Sequence, residues 1–321
     1  MSVNGSRLVD MLRAAGEPTR LRILALLARE ELAVMELGQV LDQSQPRVSR
    51  HLKLLTEAGL VERFPDGAWV FYRLSSEEPA HGFVAHTLSL IAPDDAVTLR
   101  DIERLEAVRE GRTGDAEAYF ARNAARWDEI RSLYVSEAAV EEAILAAAGP
   151  GPFRRLIDLG AGTGRMLTLL APRAETALGL DLSHQMLNVA RLHAAEAGLK
   201  NVELRHGDIF ATGLSSGCAD LVVVHRVLHY LGDPARAVME AARLVRPGGQ
   251  LLIVDFAPHA FEFLRQDHQH RRLGFSDREI NRWTEAAGLS RDSTVTLPPQ
   301  SEGLTVKLWS ARSRIRQRHA A

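Results

Sequence analysis

The sequence of 321 residues is poor in cysteine, in aromatic side chains and in any excess of one charge. Its single cysteine, Cys218, excludes a disulfide framework and a multi-cysteine metal site, which is typical of a reducing cytosol. The formal net charge of −2 argues against a nonspecific nucleic-acid coat but is compatible with a local DNA-reading face. No apolar run reaches the roughly 18 residues that a membrane helix needs. We therefore expect a cytoplasmic protein with no membrane partner, long enough for two domains.

Polar and basic residues line one side of a predicted helix near the amino terminus. Helices are predicted over residues 18–30 and from Val34 to about Leu41, and a third runs from an N-cap at Ser44 to Gly59. The last two of these helices follow each other closely, and the later one presents polar and basic side chains. This is the pattern of a helix-turn-helix, whose second helix, the recognition helix, enters the major groove of DNA. The candidate DNA-contacting residues of that recognition helix are Gln45, Arg47, Ser49, Arg50 and Lys53.

A hairpin is predicted directly after the recognition helix. Residues 60–74, LVERFPDGAWVFYRL, contain two apolar strands joined by a turn at residues 65–68. A hairpin in this position is a wing, and Arg63 and Arg73 are its candidate phosphate contacts.

The segment from about residue 7 to residue 75 resembles the ArsR-type winged-helix repressors. The resemblance rests on EPTRLRILALL, SRHLKLLTEAGLV and WVFYRL. It implies a homodimer through this domain, binding to double-stranded operator DNA and release of that DNA when an effector binds. Metal-sensing members carry cysteines on the helix that reads ELAVMEL here, where Ala33 and Met35 offer no thiolate. The alternative for this segment is a winged helix used only for dimerisation.

Composition and glycine placement divide the chain into three predicted segments. Residues 1–92 form the DNA-binding and dimerisation domain, and residues 93–114 form a helical linker that ends in a hinge at Gly111–Gly114. Residues 115–321 form the second domain. Aromatic residues near its start either pack on that domain or close over its ligand as a lid: Tyr119, Phe120, Trp127 and Tyr134. The basic tail beyond Glu302 is either a solvated end or an arm that contacts DNA.

A loop with glycine at every second position follows an apolar strand in residues 156–166, LIDLGAGTGRM. Such a loop can adopt positive φ angles and lets a ligand approach the backbone, and the following helix offers N–H groups. The next apolar run ends at Asp181, whose carboxylate can accept hydrogen bonds from a ribose diol. A dinucleotide motif has wider spacing between its second and third glycines, so NAD and FAD are disfavoured. The pattern predicts a nucleoside-cofactor pocket.

Strand and helix patterns alternate through the second domain, which predicts an α/β fold with a parallel sheet covered by helices. Five motifs occur in order: DLGAGTG, Asp181, Gly207–Ile209, DLVVVHRVLHYL and RPGGQLLIVDF. In these motifs the domain resembles the class I S-adenosylmethionine-dependent methyltransferases. The resemblance implies a Rossmann-like domain with a seven-stranded, mostly parallel sheet. It also implies S-adenosylmethionine or S-adenosylhomocysteine as the cofactor.

The same resemblance implies roles for individual residues. Asp158 would lie near the ammonium group of the cofactor, Asp181 would hold the ribose hydroxyls, and Asp208 would accept from the adenine amino group. Three apolar residues would pack beside the adenine, although core packing is an equal alternative for each of them. His225 and Arg226 would line the pocket where the methyl group leaves. The candidate cofactor-binding residues are Asp158, Gly160, Ala161, Gly162, Gly164, Asp181, Leu182, Met186, Asp208, Ile209 and His225.

The methyl acceptor has no signature in the sequence. HRVLHYL lacks the Asn/Asp-Pro-Pro-aromatic pattern of base amino methylation, and Cys218 lies in the wrong place to attack cytosine. A small-molecule acceptor, or none, remains. The candidate general bases are His229, His259 and His268. Asp255, His259, His268 and His270 match no known metal-binding spacing, so we predict no metal.

Two hypotheses follow from these motifs. In the first, the protein is a transcriptional regulator in which binding of the cofactor is coupled to binding of the operator. In the second, it is an active methyltransferase on a small molecule, with an autoregulatory DNA-binding domain. The missing thiolates favour the first hypothesis, because the regulatory input must then come from elsewhere, whereas both hypotheses need the cofactor pocket.

Overall fold

The computed structural model describes residues 4–66, 68–124, 137–299 and 303–314. Contacts divide the chain into two compact units, Met1–Gly114 and Asp115–Ala321. A single helix, Ala96–Asn123, includes both glycines of the predicted hinge. Sequence reasoning expected a break there, but a helix tolerates an interior glycine at about 1 kcal/mol relative to alanine.

The first unit is a helical domain with a small antiparallel sheet. The strands β1 (Leu32–Ala33), β2 (Val61–Asp66) and β3 (Trp69–Leu74) pair in the order β1-β3-β2. The predicted hairpin is confirmed, with Val61 opposite Leu74 and Asp66 opposite Trp69, whereas the two-residue β1 was not predicted. The helices are α1 (Gly5–Ala15), α2 (Pro18–Leu27), α3 (Val34–Leu41), α4 (Gln45–Glu57), α5 (Ala80–Ser89) and α6 (Ala96–Asn123).

The core of the first unit lies between α2, α3, α4 and the beginning of α6. Ile23, Leu37 and Leu52 from the first three of these helices are fully buried, and so is Leu105 from α6. Asp101 of α6 accepts two hydrogen bonds of 2.6 Å from the guanidinium of Arg22. The segment predicted as a linker therefore packs into the first unit.

A seven-stranded sheet forms the centre of the second unit, in the order β6-β5-β4-β7-β8-β10-β9. Strands β4 to β8 pair in parallel, and β10 runs antiparallel to both of its neighbours. The predicted mostly parallel seven-stranded sheet is confirmed. The strands are β4 (Phe153–Leu159), β5 (Ala174–Asp181), β6 (Val202–His206), β7 (Ala219–His225), β8 (Val245–Phe256), β9 (Leu289–Leu297) and β10 (Val306–Ser313).

Helices cover both faces of this sheet and create two apolar clusters. The last helix begins with a capping box, in which Ser276 Oγ accepts from the Glu279 amide and the Glu279 carboxylate accepts from the Ser276 amide. Because β4, β5, β7 and β8 are parallel, their carboxyl ends meet at one edge of the sheet. The helices are α7 (Glu137–Ala148), α8 (Arg165–Leu170), α9 (His184–Glu196), α10 (Pro234–Leu244), α11 (Phe263–His268) and α12 (Asp277–Ala286).

Candidate functional site

The glycine loop between β4 and α8 has the backbone geometry that its sequence predicts. Gly160, Gly162 and Gly164 have φ angles of 73°, 52° and 79°. A Cβ atom at Gly160 would lie 2.2 Å from Cγ2 of Val227, so the backbone there passes directly under the turn that follows β7. The amides of Gly160 and Ala161 both donate to the carbonyl of Leu180 at 2.8 Å, which ties the loop to β5.

Asp181, the last residue of β5, is held against this loop. One carboxylate oxygen accepts from the amide of Gly162 and the other accepts from the amide of Ser183, each at 2.8 Å. Burial raises the pKa of Asp181, and the backbone hydrogen bonds from Ser183 and Gly162 act in the opposite direction. Both oxygens keep a second lone pair, so a fixed pair of acceptors is available to a diol.

Asp158 of β4 lies beside Asp181 and is almost completely buried, with 1% of its surface exposed. Neither of its carboxylate oxygens has a hydrogen-bond partner among the described residues. Burial, and then the charge of Asp181, raise the pKa of Asp158 to about 8. A buried carboxylate without a partner is costly and therefore uncommon in proteins. It marks the point at which a cationic or hydrogen-bonding group of a ligand would be held.

The residues expected around the adenine fall into two groups. Met186 and Ile209 are buried, and Ile209 belongs to an apolar cluster beneath the sheet, so packing alone accounts for it. Leu182 keeps 37% of its surface exposed and is available to a ligand. Asp208 accepts from the amide of Phe210 at 2.8 Å, which fixes its orientation in the loop after β6.

His225 ends β7 and is buried at the same edge of the sheet. Arg226 follows with a φ of 53°, a conformation that non-glycine residues rarely adopt. Its guanidinium pairs with the carboxylate of Glu137 at 2.5 Å and lies 5.7 Å from the ring centre of Phe256. The resemblance named Arg226 as a pocket residue, but the sequence carried no signal for its acidic partner.

A buried histidine–aspartate pair lies next to these residues. Nδ1 of His229, in the turn after β7, is 2.7 Å from Oδ1 of Asp255 on β8. The exposed fractions of their side chains are 2% and 0%. Sequence reasoning proposed His229 as a base and Asp255 as a possible metal ligand, and did not anticipate the pairing. The pairing could have been inferred because His229 follows β7 and Asp255 lies at the end of β8, and these two strands are adjacent and parallel.

The other candidate bases make different contacts. Nδ1 of His268 is 2.7 Å from the hydroxyl of Tyr119, and Nδ1 of His259 accepts from the amide of Phe261 at 3.3 Å. Burial lowers the pKa of His268 and also that of His270, whose ring lies 4.1 Å from the ring of His229. Among the described residues, no group of three His, Cys, Asp or Glu side chains is arranged to hold a metal ion.

Two of the four aromatic residues considered for a lid are described. Tyr119 contacts His268, and the ring centre of Phe120 lies 4.8 Å from that of Tyr230 in an edge-to-face arrangement. Both therefore pack beside the turn that carries His229. Trp127 and Tyr134 lie outside the described residues.

The recognition helix α4 presents its candidate DNA contacts to solvent. Its buried residues are Val48, Leu52 and Leu55. The candidate contacts are all exposed: Gln45, Arg47, Ser49, Arg50 and Lys53. Arg63 on the wing is exposed. Arg73 is half-buried and pairs with Glu62 at 2.9 Å and with Glu31 at 3.5 Å. These contacts fit a role in holding the wing better than a direct phosphate contact.

Comparisons with known proteins agree with both domains. Residues 17–63 match the family model of bacterial regulatory proteins of the arsR family, and residues 157–253 match that of a methyltransferase domain. The chain therefore joins an ArsR-family helix-turn-helix to a class I methyltransferase domain. Within the described residues no helix is long and apolar enough to cross a membrane.

Individual relatives match the second domain. The ubiquinone biosynthesis O-methyltransferase of Paracidovorax citrulli is 32% identical over 151 residues, which are 46% of this chain and 63% of that protein. The uncharacterized methyltransferase YcgJ of Bacillus subtilis is 30% identical over 105 residues, 32% of this chain and 42% of the relative. The crystal structure of YcgJ shares the fold, with a TM-score of 0.50 and 21% identity over 56% of this chain and 99% of that chain. The chain thus spans 42% to 63% of the length of these two curated relatives.

Proposed function

We propose that this protein is a DNA-binding transcriptional regulator whose second domain binds S-adenosylmethionine and transfers its methyl group to a small-molecule acceptor. The observation that carries the proposal is the buried carboxylate of Asp158, which lies beside the glycine loop without a partner among the described residues. The ammonium group of the cofactor would satisfy this carboxylate and favour its ionised form.

The remaining residues fit the rest of the same cofactor. Asp181 offers two oriented oxygens to the ribose hydroxyls, Asp208 offers a carboxylate to the adenine amino group, and Leu182 offers an exposed apolar surface. The positive φ angle of Gly160 and its contact with Val227 leave no room for a side chain beside the loop. S-adenosylmethionine would supply an electrophilic methyl group, and the protein would supply its orientation and the exclusion of water. The relative named as an O-methyltransferase supports transfer rather than cofactor binding alone.

The first domain is proposed to act as a homodimer on double-stranded DNA. Its recognition helix exposes Arg47, Arg50 and Lys53, which suit the phosphates and guanine edges of a major groove. Helix α1 exposes three apolar side chains on one stretch, Leu8, Val9 and Leu12, which are 40%, 43% and 54% exposed. A contiguous apolar surface of this kind is typical of a protein interface and supports dimerisation.

Coupling between the cofactor and the operator is the regulatory part of the proposal. Helix α3 begins with Val34 and Met35, and the sequence supplies no thiolate there for a metal effector. The cofactor is then the chemically defined ligand that could bias the dimer. The coupling requires that operator affinity differ between the S-adenosylmethionine and S-adenosylhomocysteine complexes, because a ligand with equal affinity for both states shifts no equilibrium. Equal operator affinities of the two cofactor complexes in a gel-shift titration would contradict the coupling but would not affect the proposed methyl transfer.

Calorimetric titration with both cofactor forms tests the central proposal. The wild-type protein should bind each form at one site per chain, and Asp181→Ala should weaken binding strongly. Transfer of a labelled methyl group from S-adenosylmethionine to a component of a small-molecule extract should accompany binding and disappear in the same variant. Protein that binds neither form would contradict the proposed function, whereas binding without transfer would favour the sensor.

A further inference from the structure

We propose that His229 is the general base of the acceptor site and that the acceptor is a hydroxyl compound with an apolar body, such as a phenol. The inference rests on the proposed methyl transfer and adds the residue that removes the proton and the class of compound from which it is removed. Asp255 is proposed as the residue that positions His229.

His229 lies in the turn that passes over the cofactor loop. Val227, two residues earlier, contacts Gly160 so closely that a Cβ atom there would lie 2.2 Å from its Cγ2. The carbonyl of His229 accepts from the amides of Arg271 and Arg272 at 2.8 Å and 3.0 Å. The backbone of His229 is thereby fixed on both sides, which a catalytic base needs in order to reach one defined atom.

The contact with Asp255 determines which ring nitrogen can act. Nδ1 of His229 lies 2.7 Å from Oδ1 of Asp255, and the proposal places the shared proton on Nδ1, because a carboxylate accepts hydrogen bonds. The neutral ring then has its lone pair on Nε2. The same carboxylate oxygen accepts from the amide of Phe256 at 2.8 Å, which fixes Asp255 in turn. Ionised Asp255 would also stabilise the imidazolium that forms when Nε2 takes up a proton.

The rings next to His229 are aromatic. The ring centres of Tyr230 and His270 each lie 4.1 Å from that of His229, and that of Phe256 lies at 5.1 Å. Burial lowers the pKa of His270, so this neighbour stays neutral. The acidic group in contact with the ring is Asp255 on β8. Buried arginines lie around the same cluster: Arg226, Arg265, Arg271 and Arg272.

An apolar surface continues outward from this cluster. His259 contacts Phe256 on one side and Phe261 on the other, with ring centres 6.2 Å and 5.6 Å apart. Phe261 and Phe263 are 38% and 40% exposed, and their ring centres lie 6.1 Å apart. Two exposed phenylalanines connected through rings to a buried base suit an acceptor with one reactive polar group and an apolar remainder.

The hydroxyl proton of the acceptor moves to Nε2 of His229, and a lone pair of the hydroxyl oxygen forms the new bond to the methyl carbon. The bond between that carbon and the sulfonium sulfur breaks, and its electron pair stays on sulfur. A phenol, with a pKa of about 10, is a much stronger acid than an aliphatic alcohol, which favours proton transfer to a histidine base.

The experiment compares full-length wild-type protein with His229→Asn, Asp255→Asn and a control, His86→Asn, at an exposed position on α5. Asparagine keeps an N–H donor near the position of Nδ1 and removes Nε2. Each protein is titrated with S-adenosylhomocysteine and assayed with labelled S-adenosylmethionine against matched alkyl-substituted phenols, anilines and thiophenols. The tautomer of His229 is read from its ring ¹⁵N chemical shifts in the wild type and in Asp255→Asn.

We expect the wild type to methylate phenols in preference to the other two series. His229→Asn should lower kcat about 100-fold or more, while S-adenosylhomocysteine affinity stays within threefold of the wild type. Wild-type kcat/KM should fall as His229 is protonated at low pH, and this limb should be absent in His229→Asn and unchanged in His86→Asn. Asp255→Asn should lower kcat and move the proton between the ring nitrogens.

Three results would overturn the inference. They are a His229→Asn variant within threefold of wild-type kcat, a wild-type ring with its proton on Nε2, and a wild type that binds S-adenosylmethionine but methylates no phenol. Failure of the wild type to bind either cofactor form would instead contradict the proposed function.

Discussion

The buried carboxyl group of Asp158 predicts a pH dependence of stability that a single substitution should remove. Its pKa is about 8 in the folded protein, raised by burial and by Asp181, against about 3.9 in an unfolded chain. The folded state therefore keeps a proton that the unfolded state releases. The stabilising contribution is complete below about pH 4 and is lost as the pH rises toward 8.

The size of the effect follows from the shift. Between the two pKa values the free energy of unfolding should fall by about 1.4 kcal/mol for each pH unit because of this one group. Asp158→Asn cannot ionise, so the difference in unfolding free energy between variant and wild type should grow by about 4 kcal/mol from pH 5 to pH 8. Other titrating groups are common to both proteins and cancel in this difference.

Urea denaturation followed by intrinsic fluorescence, at half-unit pH steps, measures this difference directly. Two stability curves that stay parallel across the whole range would refute the assignment of a protonated Asp158. Binding gives an independent measurement, because pairing with the cofactor ammonium should ionise the carboxyl group. Calorimetry in buffers of different ionisation enthalpy should detect net release of most of a proton at pH 7 on binding of S-adenosylmethionine. At pH 9 this net release should disappear, because Asp158 is already ionised and the cofactor amine must itself take up a proton.

Three further substitutions test other parts of the structure. Gly160→Ala should lower the melting temperature and cofactor affinity more than Gly198→Ala, because both glycines have positive φ but only the first has a side chain in the way of a Cβ atom. Equal losses of melting temperature and cofactor affinity in the two variants would show that the contact between Gly160 and Val227 is not the cause. Arg50→Ala should weaken operator binding and reduce its salt dependence by about one unit of slope, with cofactor affinity unchanged. Glu30→Gln removes the charge of a buried carboxylate that pairs at 3.0 Å with two arginines of α6, and it should cost about 3 kcal/mol in urea denaturation. Glu203→Gln, in an exposed pair, should cost well under about 1 kcal/mol.

Much of the fold could be predicted because its signals are local. The flanking residues Ser44 and Gly59 predicted the two ends of α4. Strand β1 could not be predicted, since two residues are too few to show a period. The continuous helix at Gly111–Gly114 could not be predicted, because two glycines close together also suit a hinge and a helix tolerates each of them at about 1 kcal/mol relative to alanine.

The site divides in the same way. The glycine loop and Asp181 follow consecutive strands of the chain, so the spacing of these residues was enough to predict that they form one pocket. His229 and Asp255 belong to elements that become neighbours only in the folded sheet. Both residues were candidates from the sequence, but their contact was therefore not predicted. Likewise, the charge of Arg73 suggested a phosphate contact, and its partners Glu31 and Glu62 become visible only in three dimensions.

The position of β10 in the sheet has a consequence for biosynthesis. This strand follows the other six in the chain, yet it pairs between β8 and β9 along its whole length. Until residues 306–313 have left the ribosome, β8 has an open edge, and β9 has no partner in the described sheet. Open edges of this kind invite pairing with other nascent chains. We therefore expect ribosome-stalled chains that end before Val306 to be held by chaperones or to aggregate, and the second domain to complete its sheet only late in synthesis.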